Sequence, residues 1–302
     1  MMDLQRVCEQ FLNHCSSAIS LSEHTLRAYT GDLKHAQKFM GQQSELTSIK
    51  KERLRRYIGT MRNEQKLKES TIKRRVACLK LLFKWARQES MLKTNPFDTL
   101  NERIRLPKRL PRAIDSADAR KLRKTATAPS GENGFDAHCK KAAISLLLET
   151  GIRVGELSSI QLEDVSLADR CIKIHGKGNR QRFVYLLSPA TFETVSSFLA
   201  KRKHVDSQSS KLLVNEDGKQ LTPPLVRQAL RELGESAGIA RHITPHMLRH
   251  TCATQWLENG LDIRYVQKLL GHHSISTTEI YTHVSDQSLR EALSRANGGR
   301  QR

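Results

Sequence analysis

The chain has 302 residues, 38% of them apolar and 27% charged, which suits a folded protein of two domains better than one. No stretch is long and apolar enough to cross a bilayer, and the opening MMDLQRVCEQFLNHC lacks the basic-then-apolar order of a signal peptide. Net charge is +20, which points to a polyanionic partner.

That charge is uneven. Residues 1–112 hold 24 Lys+Arg against 11 Asp+Glu, while residues 113–302 hold 27 against 20. Solvated helix faces explain some basic excess, but not its concentration in the smaller part. Nucleic acid is therefore favoured over a membrane, for which no amphipathic terminal anchor is visible. Cysteines 8, 15, 78, 139, 171 and 252 form no CxxC pair. Their scatter suits a reduced, cytoplasmic protein rather than a disulfide or zinc framework.

The first part reads as helices. Ser22 is placed to cap a helix running through Leu26, Tyr29, Leu33 and Ala36. Leu54, Tyr57, Ile58 and Met61 form a second apolar stripe, and Ile72, Val76, Leu79, Phe83 and Ala86 a third. Lys73, Arg74, Lys80, Lys84 and Arg87 lie off the third stripe, so that helix is expected to pack with one face and meet phosphates with the other. Asn95-Pro96 is expected to stop it.

Leu106–Arg112, LPKRLPR, is the linker candidate. Two prolines stiffen it, and Lys108 and Arg109 suit a segment crossing a DNA backbone. The expected domains are 1–105, helical, and 113–302, which mixes helices with a small sheet.

In the second part Asp115 or Ser116 caps a helix. Residues 137–149 form an apolar helix that Thr150-Gly151 breaks, and Arg153 starts the next. Residues 171–174 and 182–186 alternate as strands, with HGKGNRQ at 175–181 turning between them. Helices follow near 189–203, 223–237, 245–258 and 262–270. Beyond them, Leu289, Ala292, Leu293 and Ala296 make a narrow apolar stripe on a short helix of about 286–297.

Chemistry concentrates in four segments of this part: TGIR at 150–153, GKG at 176–178, HMLRH at 246–250, and LGH at 270–272 with Tyr281. Arg153 follows a glycine break, where a guanidinium can be aimed with little freedom. Glu156 lies one turn on and can orient it. Lys177 stands between two glycines in a turn. His246 and Arg249 share a helix face after Pro245. Arginines to neutralise phosphate oxygens, a lysine or histidine to move protons and a tyrosine hydroxyl as nucleophile suffice for metal-free attack on a phosphodiester. A zinc reading of His246 and His250 is disfavoured, because Met247 stands where HExxH has its glutamate.

In this order the segments resemble the tyrosine site-specific recombinases, of the lambda-integrase and Xer type. Thr150–Leu157 (TGIRVGEL), the LLGH ending at His272 and STTEIYTHV around Tyr281 carry the likeness, and Ser22–Tyr29 resembles the SxxTLxAY opening of the family's core-binding domain. The resemblance implies a mainly α fold with a small β-sheet: a helical SAM-like N-terminal core-binding domain and a tyrosine-recombinase catalytic domain, clamped around DNA. It implies catalytic roles for Arg153, Lys177, His246, Arg249, His272 and Tyr281; beside these, Glu156 is read as a supporting residue and Arg180 and Arg182 as contacts to the DNA backbone. It further implies no cofactor and no metal, and a 3′-phosphotyrosine intermediate that retains bond energy without ATP. The expected partners are double-stranded DNA with a short inverted-repeat core site and a homotetramer on two such sites, with or without a partner recombinase or accessory protein. A bacterial cytoplasmic enzyme, nucleoid-associated when DNA-bound and docking its C-terminal helix into a neighbour, is the resulting expectation. The chain opens on the core-binding domain, which suggests no added arm-binding domain. A type IB topoisomerase-like nicking-closing enzyme, a non-catalytic DNA-binding regulator and a metal-dependent nuclease are the competing readings. The short N-terminal domain, the intact catalytic positions and the lack of a carboxylate cluster argue against them in turn.

Overall fold

A computed structural model describes residues 3–19, 21, 23–100, 113–128, 134–176 and 180–271. Ser22, the linker with Lys108 and Arg109, Lys177, His272, Tyr281 and the 286–297 segment lie outside the described residues. The chain divides into two compact units, 1–109 and 110–302. Among the described residues no helix is long and apolar enough to cross a membrane.

The first unit is helical. Asp3 accepts a hydrogen bond from the Arg6 N–H and so caps α1, Leu4–Ser17. This helix is absent from the expected elements, although Leu4, Val7, Phe11 and Cys15 repeat at helical spacing and are all buried. Helices α2 (Glu23–Met40), α3 (Lys51–Gly59) and α4 (Glu69–Gln88) follow. A π-helical turn, Thr60–Glu64, extends α3 and buries Met61. The apolar stripes meet in one core, where Leu33, Met40, Leu54, Tyr57, Ile72, Leu79 and Phe83 are essentially removed from water. Each such aliphatic side chain contributes about 1.5–3 kcal/mol of transfer free energy.

Helix α4 ends at Gln88, well before Asn95-Pro96. Ser90 takes φ +60, and the Met91 N–H reaches back to the Ala86 carbonyl at 2.9 Å. The helix is closed by this left-handed turn. Asn95 instead accepts from the Phe97 N–H within the following loop.

The second unit is built around α6, Phe135–Thr150. Cys139, Ala142, Ala143, Ile144, Leu146, Leu147 and Leu148 are all buried, as expected of a helix apolar on every side. Helix α5, Ser116–Thr127, is capped by Asp115 and packs against it. Gly151 ends α6 at φ +59, and a Cβ there would lie 3.1 Å from Cys252 and 3.2 Å from Leu270. Glycine thus serves both the left-handed turn and the close approach of two later helices. Short α7 is Val154–Ser159.

Strands β1 (Val165–Ser166), β2 (Cys171–His175) and β3 (Gln181–Tyr185) form an antiparallel sheet in that order. The β2–β3 register pairs Ile172 with Val184 and His175 with Gln181. Ile172, Ile174 and Val184 are buried, while Phe183 and Tyr185 are exposed on the other side. Helices α8 (Pro189–Arg202), α9 (Pro223–Ser236), α10 (Pro245–Glu258) and α11 (Ile263–Leu270) complete the unit.

Candidate active site

A cleft of about 1770 Å³ opens in the second unit, and Arg153, Glu156, Gly176, Arg180, His246, Arg249 and Gly271 are among its walls. Three helix ends and one hairpin build it. Arg153 is the N-cap of α7. Its backbone N–H donates to Glu156 Oε2 at 2.9 Å and its Nη1–H to Glu156 Oε1 at 2.8 Å. One edge of the side chain is thereby fixed, and the side chain stays 41% exposed toward the cleft.

Arg249 reaches the same place from α10. Pro245 at the first helical position and the Thr244 cap start that helix, which puts His246 and Arg249 on one face. Arg249 is only 4% exposed. Its Nη1–H donates to the Gly151 carbonyl at 2.8 Å, and Nη2–H donates to the Leu270 carbonyl. Arg153 also reaches the Leu270 and Gly271 carbonyls, each at 3.5 Å. The two guanidiniums therefore converge on the C-terminal end of α11. The partial negative charge of a helix C-terminus offsets their mutual repulsion. Gly271, at φ +64, turns the chain out of α11 immediately before His272.

His246 lines the cleft beside them. Loss of water lowers its pKa, and the positive charges of Arg249, Arg153 and Arg227 lower it further. The ring is thus neutral near pH 7 and able to accept a proton. His250 is also lowered, by burial and then by His246 and Arg249. At Glu156 burial works to raise the pKa. The hydrogen bonds and charge of Arg182, then Arg153, outweigh it, and the carboxyl ends below its ordinary value.

The hairpin that carries Lys177 in sequence has its base in the cleft wall: Gly176 and Arg180 line it, and the Gly176 N–H donates to the Arg180 carbonyl at 2.7 Å. Buried Asp164 holds the other side of this base by accepting from His175 Nε2 at 2.8 Å. Sequence reading missed that anchor, because Asp164 lies in a short 3-10 turn with no motif around it.

Arg182 is a correction. It was expected at the DNA backbone, but its side chain is 9% exposed and its guanidinium is taken by Glu156 and the Leu269 carbonyl. In the first unit, Arg74 is tied to buried Asp32, Arg87 pairs with Asp98 at 2.6 Å, and Lys80 stands 5.8 Å over the Phe97 ring. Lys73 and Lys84 are exposed. All five side chains of the expected phosphate-facing set on α4 are exposed, and Arg74 and Arg87 share theirs with protein carboxylates.

Residues 113–288 match the model of the phage integrase family. The chain belongs to that family. Residues 8–90 match the phage integrase N-terminal SAM-like domain. A tyrosine recombinase XerC of Thermodesulfovibrio yellowstonii is 33% identical, with 98% of each chain covered. Among solved structures, XerH recombinase bound to a palindromic difH substrate superposes with a TM-score of 0.78 at 23% identity, covering 95% of this chain and 84% of that one. A lambda integrase tetramer bound to a Holliday junction gives 0.71 at 18% identity, covering 93% and 77%. These two likenesses support the fold: helical, with a small sheet and a SAM-like first domain. The relatives and the family make this chain a tyrosine recombinase, an enzyme of DNA strand breakage and rejoining.

Proposed function

We propose that the chain is a site-specific recombinase that exchanges strands between two DNA duplexes through a 3′-phosphotyrosine intermediate and a Holliday junction. The convergence of Arg153 and Arg249 on the last carbonyls of α11, with neutral His246 in the same wall, carries this reading. Two guanidiniums held at one point match the non-bridging oxygens of a single phosphate and stabilise the charge that builds in the transition state.

In this reading Tyr281 Oη attacks the phosphorus and passes its proton to His246. The bond to the 5′ oxygen breaks, and Lys177 donates the proton that makes it a hydroxyl. His272 hydrogen-bonds the phosphate. The 5′ hydroxyl of a partner duplex then attacks the phosphotyrosine and frees Tyr281. Bond count is conserved, so no ATP is needed, and Arg153 and Arg249 supply the charge stabilisation that a metal would otherwise give. Four copies on two short inverted-repeat sites would perform the exchanges in pairs; the similar lambda integrase binds a Holliday junction as a tetramer. The first unit, with Lys73, Lys84 and the linker lysine and arginine, would grip the flanking phosphates.

Capture of protein-linked DNA from cells under denaturing conditions, followed by sequencing, would supply the site. Two copies of that site on one plasmid, incubated with protein in EDTA without ATP, should give recombinant circles. Relaxed topoisomers with no recombinant would assign a nicking-closing enzyme instead.

A further inference from the structure

Arg182 touches several of the elements that frame the cleft. Its Nη2–H donates to Glu156 Oε2 at 2.7 Å, Nη1–H to Glu156 Oε1 at 3.2 Å, and Nε–H to the Leu269 carbonyl at 2.7 Å. Arg182 itself sits on β3, Glu156 on α7 and Leu269 in the last turn of α11. The guanidinium also lies close against Gly271. A Cβ there would stand 3.0 Å from Nη1 and 3.2 Å from Cζ. The turn that leads to His272 therefore rests directly on this side chain.

We infer that Arg182 is a positioning residue for strand cleavage, holding Arg153 through their shared partner Glu156 and fixing the end of α11 beside it. This rests on the proposed function above. Arg153 has a long side chain whose freedom must be restricted before its guanidinium can be aimed. Glu156 restricts it by gripping its backbone N–H and Nη1 together. A carboxylate only 8% exposed needs compensating charge to remain ionised. Arg182 supplies that charge from behind, in a bidentate fork that a lysine cannot reproduce. Because β3 is the outgoing strand of the 171–185 hairpin, the same contact sets the hairpin base against α7 and α11. Arg182 lines the cleft as Arg249 does, but two of its donors are spent on a carboxylate, which neutralises the charge that a phosphate would otherwise meet. Its side chain is 9% exposed, and its Nε, Nη1 and Nη2 all donate to protein acceptors.

The test uses the site DNA recovered from covalent adducts and compares Arg182→Lys, Glu156→Gln and the double variant in the full chain. Single-turnover cleavage at saturating DNA gives the rate, and the adduct amplitude gives the folded, active fraction separately. The rate should fall on the order of 10²-fold in each single variant, as for misplaced catalytic groups. Affinity and its salt dependence should be unchanged. The double variant should be no slower than the slower single one, since both break the same strut. A salt slope reduced by about one with an unchanged saturated rate would make Arg182 a phosphate contact. Multiplying defects would make the two residues independent, and loss of folding in both singles would leave only a structural role; each result overturns the inference. Wild-type protein without adduct rejects the proposed function itself, whereas wild-type adduct with fast variants rejects only the strut.

Discussion

The Nη1–H of Arg249 donates to the carbonyl of Gly151 at 2.8 Å, across 98 positions of sequence. That bond ties α10 to the break between α6 and α7. It places a buried guanidinium beside the helix start that carries Arg153.

Replacing Arg249 should therefore have two effects. Arg249→Ala should slow cleavage by roughly a thousandfold or more, the scale of a transition-state arginine in phosphoryl transfer. It should also lower stability by about 1–3 kcal/mol, because buried carbonyls lose their donor. Single-turnover cleavage and urea unfolding measure the two. Arg153→Ala, at a more exposed side chain, should show the rate loss with a smaller stability loss.

Lys177 as general acid predicts a substrate-dependent defect. Sulfur at the 5′ bridging position leaves without protonation. Lys177→Ala should cut the sulfur substrate well and the natural one poorly. Equal defects on both would instead make Lys177 a DNA-positioning group.

The acid limb of the reaction follows from His246, whose pKa is lowered by loss of water and by Arg249, Arg153 and Arg227. The active form is neutral, so falling pH removes activity only when it passes the lowered value. At low DNA concentration the apparent second-order rate constant, which reports the free enzyme, should hold down to the ordinary histidine range near ~6.5 and fall below it. A midpoint above that range would contradict the role.

On α4 the basic residues should separate into two kinds. Lys73→Ala with Lys84→Ala should flatten the plot of log affinity against log salt by about 1.8, at ~0.9 per phosphate contact. Arg74→Ala should chiefly lower the thermal midpoint, since it leaves buried Asp32 with the more distant Arg75 at 3.7 Å. A salt slope that responds to Arg74 and not to the lysines would reverse these assignments.

Local pattern made most helices legible. Leu54, Tyr57 and Ile58, or Ile72, Val76 and Leu79, repeat at helical spacing and are buried where that spacing places them. Helix α1 was equally legible from Asp3 and its apolar repeat but stood outside the motifs. Contacts between distant segments were not legible. Nothing near Arg182 in sequence announces Glu156 or the Leu269 carbonyl, and a basic residue close to a hairpin tip reads naturally as a DNA contact. Likewise Asp32 gives no local sign that it claims Arg74 from 42 positions away. The stop of α4 was misplaced because proline is a visible breaker, whereas the left-handed turn at Ser90 depends on how the following loop packs.

Cleavage stands or falls with the nucleophile, and one substitution isolates it. Tyr281→Phe keeps the ring and removes the oxygen. Both proteins are incubated with site DNA in EDTA, quenched in SDS and separated under denaturing conditions. Wild type should yield a protein–DNA adduct attached at a 3′ phosphate, and Tyr281→Phe should bind the same DNA and yield none. An SDS-resistant adduct from Tyr281→Phe would contradict the assignment and place the nucleophile elsewhere.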